Sequence, residues 1–256
     1  IDITSKKINI SKVDLKKCFI PIWILTVNVN NKVYSVFSSN ENYYKTCKSS
    51  GYYVLNNYPE LANGTKLVIG GEYTTIRSYA FYECESLTHV AIPDTVTIVD
   101  DNAFTYCYSL ESIIFSKNLQ RIGAYAFNLC KAIKEIDIPE NVTRIGSSAF
   151  SGCSSITKAP KLPDGLTILS YAFDRCSSLL ETPEIPATVK DMAGAFKSCT
   201  SLVKATEIPV SVEYLTDTFN GCTSLTGTVV INANPGNRAG CFASVNFAAQ
   251  GLEVTG

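Results

Sequence analysis

The sequence contains a single histidine, and this scarcity removes most enzymatic chemistry. His89 is the one imidazole available to a hydrolytic triad or a zinc site in 256 residues. The sequence also has no CxxC pair, so zinc ligand sets are missing, and it has no glycine-rich phosphate loop. These absences predict a protein that is not an enzyme and that binds no metal or cofactor.

Long apolar runs and a strong net charge are absent as well. The longest apolar stretch, Phe19 to Val29, is too short for a membrane-spanning helix and is typical of a buried strand. The net charge of −1 argues against a nucleic-acid partner, because phosphate binding needs a basic surface. Residues 1–62 carry eight Lys and four acidic residues, whereas the remainder has an excess of acidic residues. We therefore expect neither membrane insertion nor nucleic-acid binding, and we expect a boundary near residue 62.

One spacing of 23 residues dominates the rest of the chain. A Phe recurs at this interval, at Phe81, Phe104, Phe127, Phe150, Phe173, Phe196, Phe219 and Phe242. A Cys stands three residues after each of the first seven, at Cys84, Cys107, Cys130, Cys153, Cys176, Cys199 and Cys222. A period of this length is the signature of a solenoid, in which each repeat packs only on its neighbours.

Each repeat contains two apolar patterns and a short connecting segment. In one copy, Ile136 and Ile138 alternate with polar residues, and Val142 and Ile145 follow after a proline. Alternation at period two predicts half-buried strands, and Ile-Pro ends the first of them. The Ala-Phe-x-x-Cys segment predicts a short helical or 3-10 turn that depends on its neighbours for stability. Coil 1 spans residues 85–107, and coils 2 to 7 follow at intervals of 23 residues.

The seven periodic Cys are interpreted as small buried hydrophobic residues, because each has apolar repeat positions around it. An occasional disulfide between neighbouring coils is the alternative. Cys18, Cys47 and Cys241 lie outside this register. Cys18 and Cys47 either form a bridge within the N-terminal segment or remain free thiols.

The repeat changes slightly from residue 156. Three copies gain one residue before the proline and lose one before the Phe, so the period survives and a small bulge is expected. Pro160 and Pro183 fall where the first strand runs, which predicts an irregular sheet over repeats four and five. The copy around Phe242 has Val245 in place of Cys and is interpreted as the C-terminal cap.

Residues 1–62 contain no copy of the repeat. Ile3 to Ile10 and Ile22 to Phe37 are rich in strand-forming residues, and Asn30-Asn31 predicts the turn of a hairpin. The segment is either a β-cap fused to the first coil, which we favour, or a small β domain. We therefore predict a β-rich N-terminal part at 1–62, a mainly β solenoid of 23-residue repeats at 63–230 and a capping repeat at 231–256.

The string from Ile133 to Cys153, with IPENVTRIGSSAFSGC, resembles the BspA-like class of leucine-rich repeats, and the resemblance extends over about residues 65–245. Members of this family are typically secreted or surface-exposed proteins of bacteria and some protozoan parasites, and they are associated with adhesion. The resemblance implies an extracellular or cell-surface location, and a protein or glycan of the host or of a neighbouring microbe as partner. It supplies no binding residues, because the shared positions are structural.

Candidate contact residues are those that the repeat leaves variable. They are the outward strand positions His89, Ser112, Ile114, Glu135, Asp137 and Lys158, together with Tyr82, Tyr106 and Tyr108 at the more aromatic end of the repeats. One column alternates in sign through Glu135, Lys158, Glu181 and Lys204. Such a column is either a charge ladder between coils or part of a polar binding face.

Three functional hypotheses compete. The leading one is a non-catalytic surface protein of adhesion type. The alternative is a structural spacer that presents a neighbouring domain, and the third makes the basic segment 1–62 the active module.

Overall fold

Stacked coils of 23 residues build the repeat region, and each coil contributes two strand-like segments and a tight turn. The structure, a computed structural model, describes residues 23–29, 32–38, 65–68, 74–85, 87–232, 237–247, 251 and 253–255. The short strands of these parts are β1 (Trp23–Val29), β2 (Lys32–Ser38), β3 (Thr65–Val68), β4 (Thr75–Ile76), β5 (Leu87–Ala91), β6 (Ile98–Val99), β7 (Ser112–Ile114), β8 (Arg121–Ile122), β9 (Arg144–Ile145), β10 (Thr228–Val230) and β11 (Glu253–Thr255).

The strands form two parallel ladders along the solenoid. The first sheet has the order β2-β1-β3-β5-β7, and β3, β5 and β7 in it are parallel. The second has the order β4-β6-β8-β9 and is parallel throughout. Near the C-terminus β10 and β11 form a parallel pair. Coils 1 and 2 therefore add one strand to each sheet, and coil 3 adds one to the second sheet.

The predicted hairpin around Asn30-Asn31 is confirmed by its strand pairing. β1 and β2 are antiparallel, with Val29 opposite Lys32, so two residues connect them. β1 also pairs with β3, so that the hairpin and the first coils share a sheet. The segment Ile3 to Ile10 and the Cys18–Cys47 question lie outside the described residues. The domain boundaries at 62 and 230 stay a prediction.

A column of stacked Phe rings fills the centre of the solenoid. The rings of Phe104 and Phe127 are 5.1 Å apart between centroids with planes 6° apart, and those of Phe173 and Phe196 are 5.9 Å and 4° apart. The Phe residues from Phe104 to Phe219 are fully buried. The predicted core is therefore confirmed, since each ring contacts the equivalent ring of the next coil.

The Ala-Phe-x-x-Cys segment forms consecutive turns. It does not form the short helical turn that is one of the two structures the sequence predicts. The N–H of Cys107 donates to the carbonyl of Phe104 within the coil (3.3 Å), but the N–H of Phe104 donates to Ala126 of the next coil (2.7 Å). Left-handed residues stand on both sides, Asn102 at φ 57° and Tyr106 at φ 64°. Alternate amides thus serve the neighbouring coil, and this is incompatible with continuous helical bonding.

The periodic Cys are buried free thiols, as predicted, and they also form hydrogen bonds between coils. The Sγ of Cys130 donates to the carbonyl of Phe104, 26 residues earlier, at 3.1 Å. The same bond recurs from Cys107, Cys153, Cys176, Cys199 and Cys222, at 3.1 to 3.4 Å. A thiol therefore suits this position because it is small, apolar and still a weak donor.

The first sheet is interrupted at coil 3, one coil earlier than the prolines predict. The N–H of Glu111 donates to Thr88 (2.8 Å), and the N–H of Leu180 donates to Thr157 (3.2 Å). In residues 111–162, all of them described, no backbone bond on this side joins coil 3 to coil 2 or to coil 4. Pro160 lacks an N–H for the ladder between coils 3 and 4.

The junction between coils 3 and 4 depends on the turn side for its backbone hydrogen bonds. In the second sheet no bond within the described residues links 143–146 to 166–169. On the turn side the N–H of Phe150 donates to Ala172 (3.0 Å), and that of Gly152 donates to Asp174 (2.7 Å). The predicted one-residue shift is visible here, because Leu169 takes the buried position equivalent to Ile145. Ile168 is 42% exposed.

Truncating a central ring is expected to cost more stability than truncating a terminal one. Phe150→Ala removes a fully buried ring stacked on both sides and should lower the free energy of unfolding by about 3–5 kcal/mol. Phe242→Ala, at a half-buried ring in coil 7, is the matched variant and should cost clearly less. Urea denaturation measures both, and equal losses would contradict a role for the stack.

The periodic thiols are expected to react only after unfolding. Burial raises the pKa of Cys153 to about 12 and that of Cys241 to about 11, so the native thiols stay protonated. In a Cys18→Ser, Cys47→Ser background, Ellman's reagent should modify none of the eight described thiols in native protein and all eight in urea. Because unfolding releases these protons, stability should be fully present below the ordinary thiol pKa of 9.0 and decline towards pH 12. Constant stability across that range would contradict the burial.

The interrupted ladder predicts a local difference in hydrogen exchange. The amides of residues 134–138 have no backbone partner within the described chain, whereas those of Leu180 and Val203 donate to the preceding coil. We expect residues 134–138 to exchange about tenfold faster or more, measured by NMR or mass spectrometry. Equal protection at Lys134 and Val203 would show that the ladder is intact.

Candidate interaction surface

The predicted strand columns lie on the outer face of the first sheet. His89 pairs with Ser112 and Ala91 pairs with Ile114, whereas Val90 and Ile113 point into the core. His89 is exposed, and its Nδ1 lies 2.9 Å from the hydroxyl of Thr88. Ile114 is 63% exposed. The alternation predicted for this strand is therefore correct over coils 1 and 2.

The columns continue over coils 3 and 4 without regular strand pairing. Glu135, Asp137 and Lys158 are all exposed, and Ile136 between the two acids is buried. Six of the nine candidate residues therefore occupy one face. Whether they contact a partner stays a prediction.

The alternating charge column forms an ion pair at one of its steps. Lys204 Nζ lies 3.6 Å from Glu181 Oε2, and both side chains are more than half exposed. Among the described residues, no ion pair joins Glu135 to Lys158 or Lys158 to Glu181. The ladder interpretation thus holds for coils 5 and 6, while Glu135 and Lys158 direct unpaired charges to solvent.

Four tyrosines near coil 1 form a chain of ring contacts on the turn side. Tyr82 lies 5.5 Å from Tyr79 and 5.3 Å from Tyr106, and Tyr106 lies 5.8 Å from Tyr108. The structure therefore brings the three candidate tyrosines together. The surface position expected for Tyr82 is wrong, because Tyr82 is only 6% exposed.

Tyr108 is partly exposed and interacts with a cation. Lys131 Nζ lies 4.8 Å from the centre of its ring, a cation–π contact between coils 2 and 3. Partial burial, followed by the nearby Tyr106, Glu85 and Glu83, raises the pKa of Tyr108. Its hydroxyl therefore stays protonated at neutral pH and can donate a hydrogen bond.

Tyr106 has a backbone conformation that a bulky residue rarely adopts. Its φ is 64°, at a position where coils 3 and 6 have Gly152 and Gly221. A large side chain in this region costs about 1–3 kcal/mol and persists only where the surroundings compensate. The position recurs once per coil, but the apolar pattern of the sequence does not indicate its left-handed geometry.

Two exposed apolar residues in adjacent coils form a further surface feature. Leu180 and Val203 are 47% and 42% exposed in adjacent coils, joined by a backbone bond of 2.9 Å. The equivalent position is polar in coils 1 to 3, with Thr88, Glu111 and Lys134. An apolar residue at this otherwise polar position would have identified Leu180 and Val203 from the sequence.

The carboxylates with the closest spacing in the sequence have structural partners. Asp101 Oδ1 accepts the N–H of Ala124 at 2.8 Å and lies 3.2 Å from Arg121 Nη2. Asp100 Oδ2 accepts a hydrogen bond from the Ser78 hydroxyl at 2.8 Å. Within the described residues, no group of three or more His, Cys, Asp or Glu side chains has the arrangement of a metal site. The described part of the chain likewise has no helix with the length and apolar character of a membrane span.

This architecture is that of a leucine-rich-repeat solenoid built from 23-residue coils. The family model for the BspA type leucine rich repeat region matches six copies, over residues 56–179 and 160–248. The chain belongs to this family, as its sequence resemblance implies. A search of curated proteins found no match.

Two solved structures illustrate the likeness. A leucine rich repeat protein of T. pallidum is 28% identical with a TM-score of 0.55, over 64% of this chain and 83% of that one. A leucine rich cell surface protein of Faecalibacterium prausnitzii A2-165 is 26% identical with a TM-score of 0.52, over 67% of this chain and 51% of that one. The match thus spans about half the length of the F. prausnitzii protein.

Proposed function

We propose that this chain is a non-catalytic, extracellular or cell-surface binding protein of adhesion type. Its partner would be a protein or glycan of the host or of a neighbouring microbe. Membership of the BspA type family supports an interaction role, and the F. prausnitzii relative is itself described as a cell surface protein.

The observation that carries this proposal is the composition of the first sheet's outer face. Ile114, in the last strand β7, is 63% exposed, although a solvent-facing strand position normally holds a polar residue. Ser112 lies in the same strand and His89 in the paired strand β5, and the exposed Glu135 and Asp137 follow in coil 3. An apolar centre with a polar rim is the usual anatomy of a protein interface.

The turn-side tyrosines supply a second candidate contact. Tyr106 and Tyr108 are half-buried and lie in one chain of ring contacts, and Tyr106 has a strained backbone. Tyrosine offers a large contact area for little loss of side-chain entropy on binding. We expect this patch to contribute to affinity, and we exclude Tyr82 from it because Tyr82 is buried.

A spacer role is the second candidate, and the Phe column favours it. The ring stack continues from Phe81 to Phe242 with centroid distances of 4.9 to 6.0 Å, which makes the repeat region a continuous rod. The matched region covers 51% of the F. prausnitzii protein, so in that relative the repeats occur within a longer chain. A spacer would need no partner on the outer strand face.

The binding proposal predicts that partner affinity depends on the strand face. The chain should bind at least one member of a panel of extracellular-matrix proteins and glycans, measured by biolayer interferometry. The triple variant Ile114→Ser, Glu135→Gln, Asp137→Asn should then bind about tenfold more weakly or worse, because interface centres carry most of the affinity. Val210→Ser, at a 79% exposed apolar residue in coil 6, is the matched control and should bind normally.

Circular dichroism should show the same melting temperature for both variants, since exposed substitutions change stability little. If no panel member binds even at near-millimolar concentration, the adhesion role is excluded and the spacer is favoured. Equal weakening by the control would show that binding does not use this face.

A further inference from the structure

A polar groove runs across coils 1 to 3 at the corner between the two sheets. Its volume is about 670 Å³, and its lining includes Asp94, Thr97, Asn118, Gln120, Asn141 and Thr143. Every lining residue carries a hydroxyl, a carboxamide or a carboxylate. The groove is thus large enough for a small ligand and offers hydrogen bonds in place of apolar contact.

Hydrogen bonds between coils hold the lining side chains in place. Asn118 Nδ2 donates to the carbonyl of Asp94 at 2.8 Å, and Asn141 Nδ2 donates to the carbonyl of Lys117 at 2.8 Å. Thr97 and Thr143 also donate their hydroxyls to carbonyls of the preceding coil, at 3.2 and 3.4 Å. The amide oxygens of Asn118 and Asn141 therefore remain as fixed acceptors.

Gln120 lies between Thr97 and Thr143 in one of these columns and provides both donor and acceptor. Its side chain is exposed, and no hydrogen bond from its carboxamide is found within the described chain. A carboxamide offers two N–H donors and one carbonyl oxygen. The groove thus presents acceptors at Asn118 and Asn141 in adjacent coils, and Gln120 adds a free donor.

The groove carries no uncompensated charge. Its carboxylate, Asp94, accepts the backbone N–H of Lys117 at 2.9 Å and lies 3.7 Å from Lys117 Nζ. A free anion or cation therefore finds no matching charge here. No apolar residue lines the groove, so a peptide would bury its side chains only against the carbon atoms of polar residues. The complementary ligand is neutral and rich in hydroxyl groups, because each hydroxyl both donates and accepts.

The fold does not require amides at this corner. After the one-residue shift, the position of Asn118 and Asn141 is occupied by Gly165 in coil 4, Thr188 in coil 5 and Ser211 in coil 6. Thr188 Oγ1 makes the equivalent bond to the preceding coil, to the carbonyl of Asp164 at 2.6 Å. The carboxamide side chains are therefore a local property of coils 2 and 3.

We propose that this groove binds a neutral oligosaccharide, with Gln120, Asn118 and Asn141 bonding to its hydroxyls. The inference rests on the proposed binding function and specifies the kind of glycan that would bind. Because no aromatic residue lines the groove to stack on a sugar ring, affinity comes from hydrogen bonds. We expect dissociation constants on the order of a millimolar, as suits a surface that binds multivalent glycans.

The test is an NMR titration of the full chain with defined neutral oligosaccharides, namely the tetrasaccharides of cellulose, chitin and mannan. At least one should saturate the groove. Gln120→Ala should weaken the affinity for that oligosaccharide about fivefold or more, and Thr143→Val should also weaken it. Thr226→Val is the matched control, because its hydroxyl makes the equivalent bond to the preceding coil, to Val203 at 3.2 Å, outside the groove. That variant should bind normally.

Two further arms separate this proposal from the proposed function. The Ile114→Ser, Glu135→Gln, Asp137→Asn variant should keep its oligosaccharide binding, because the groove and the strand face share no residue. Absence of saturation by all three oligosaccharides, or equal affinity in Gln120→Ala and the parent chain, would overturn the groove proposal. Binding of a sulfated oligosaccharide alone would overturn it too. In each of these cases the proposed function would still stand if the parent chain binds a macromolecule and the triple variant does not.

Discussion

Ring-on-ring contact between successive phenylalanines is the constraint on which the rest of this structure depends. Centroid distances of 4.9 to 6.0 Å set the separation of the coils. At that separation the backbones lie so close that a Cβ on Gly123 would stand 2.5 Å from the backbone of Asp100. The same spacing lets a Cys thiol reach a Phe carbonyl in the preceding coil. The buried core, the hydrogen bonds of the periodic Cys and the positions of the glycines therefore depend on one repeated contact.

Much of this fold is predictable because the period assigns each residue its neighbours. The Phe column, the buried Cys and the hairpin at Asn30-Asn31 all follow from spacing and alternation. Backbone details do not follow, since a left-handed residue such as Tyr106 leaves no trace in the apolar pattern. The early end of the first sheet is equally hidden. Proline explains a missing bond at Pro160 but does not predict the loss between coils 2 and 3.

The candidate surface was predictable where it lies on strands and less so where it lies on turns. Alternation at period two identifies Ile114 as outward, and it is 63% exposed. No such rule applies to Tyr82, which is buried although Tyr106 beside it is half-exposed. The polar groove was missed because it forms at a corner, where residues from the ends of two patterns meet. Aligning the repeats column by column would have revealed its run of amides and hydroxyls.

The junction between coils 3 and 4 has a mechanical meaning. On both sheet sides, the described backbone there has no hydrogen bond from one coil to the next, while the turn side keeps its bonds at Phe150 and Gly152. A load that bends the rod will therefore open the sheet sides first and pivot about the turns. Bending at this junction therefore disrupts fewer backbone hydrogen bonds than bending elsewhere in the described repeats, while the stacked rings of Phe150 and Phe173 still join the two parts.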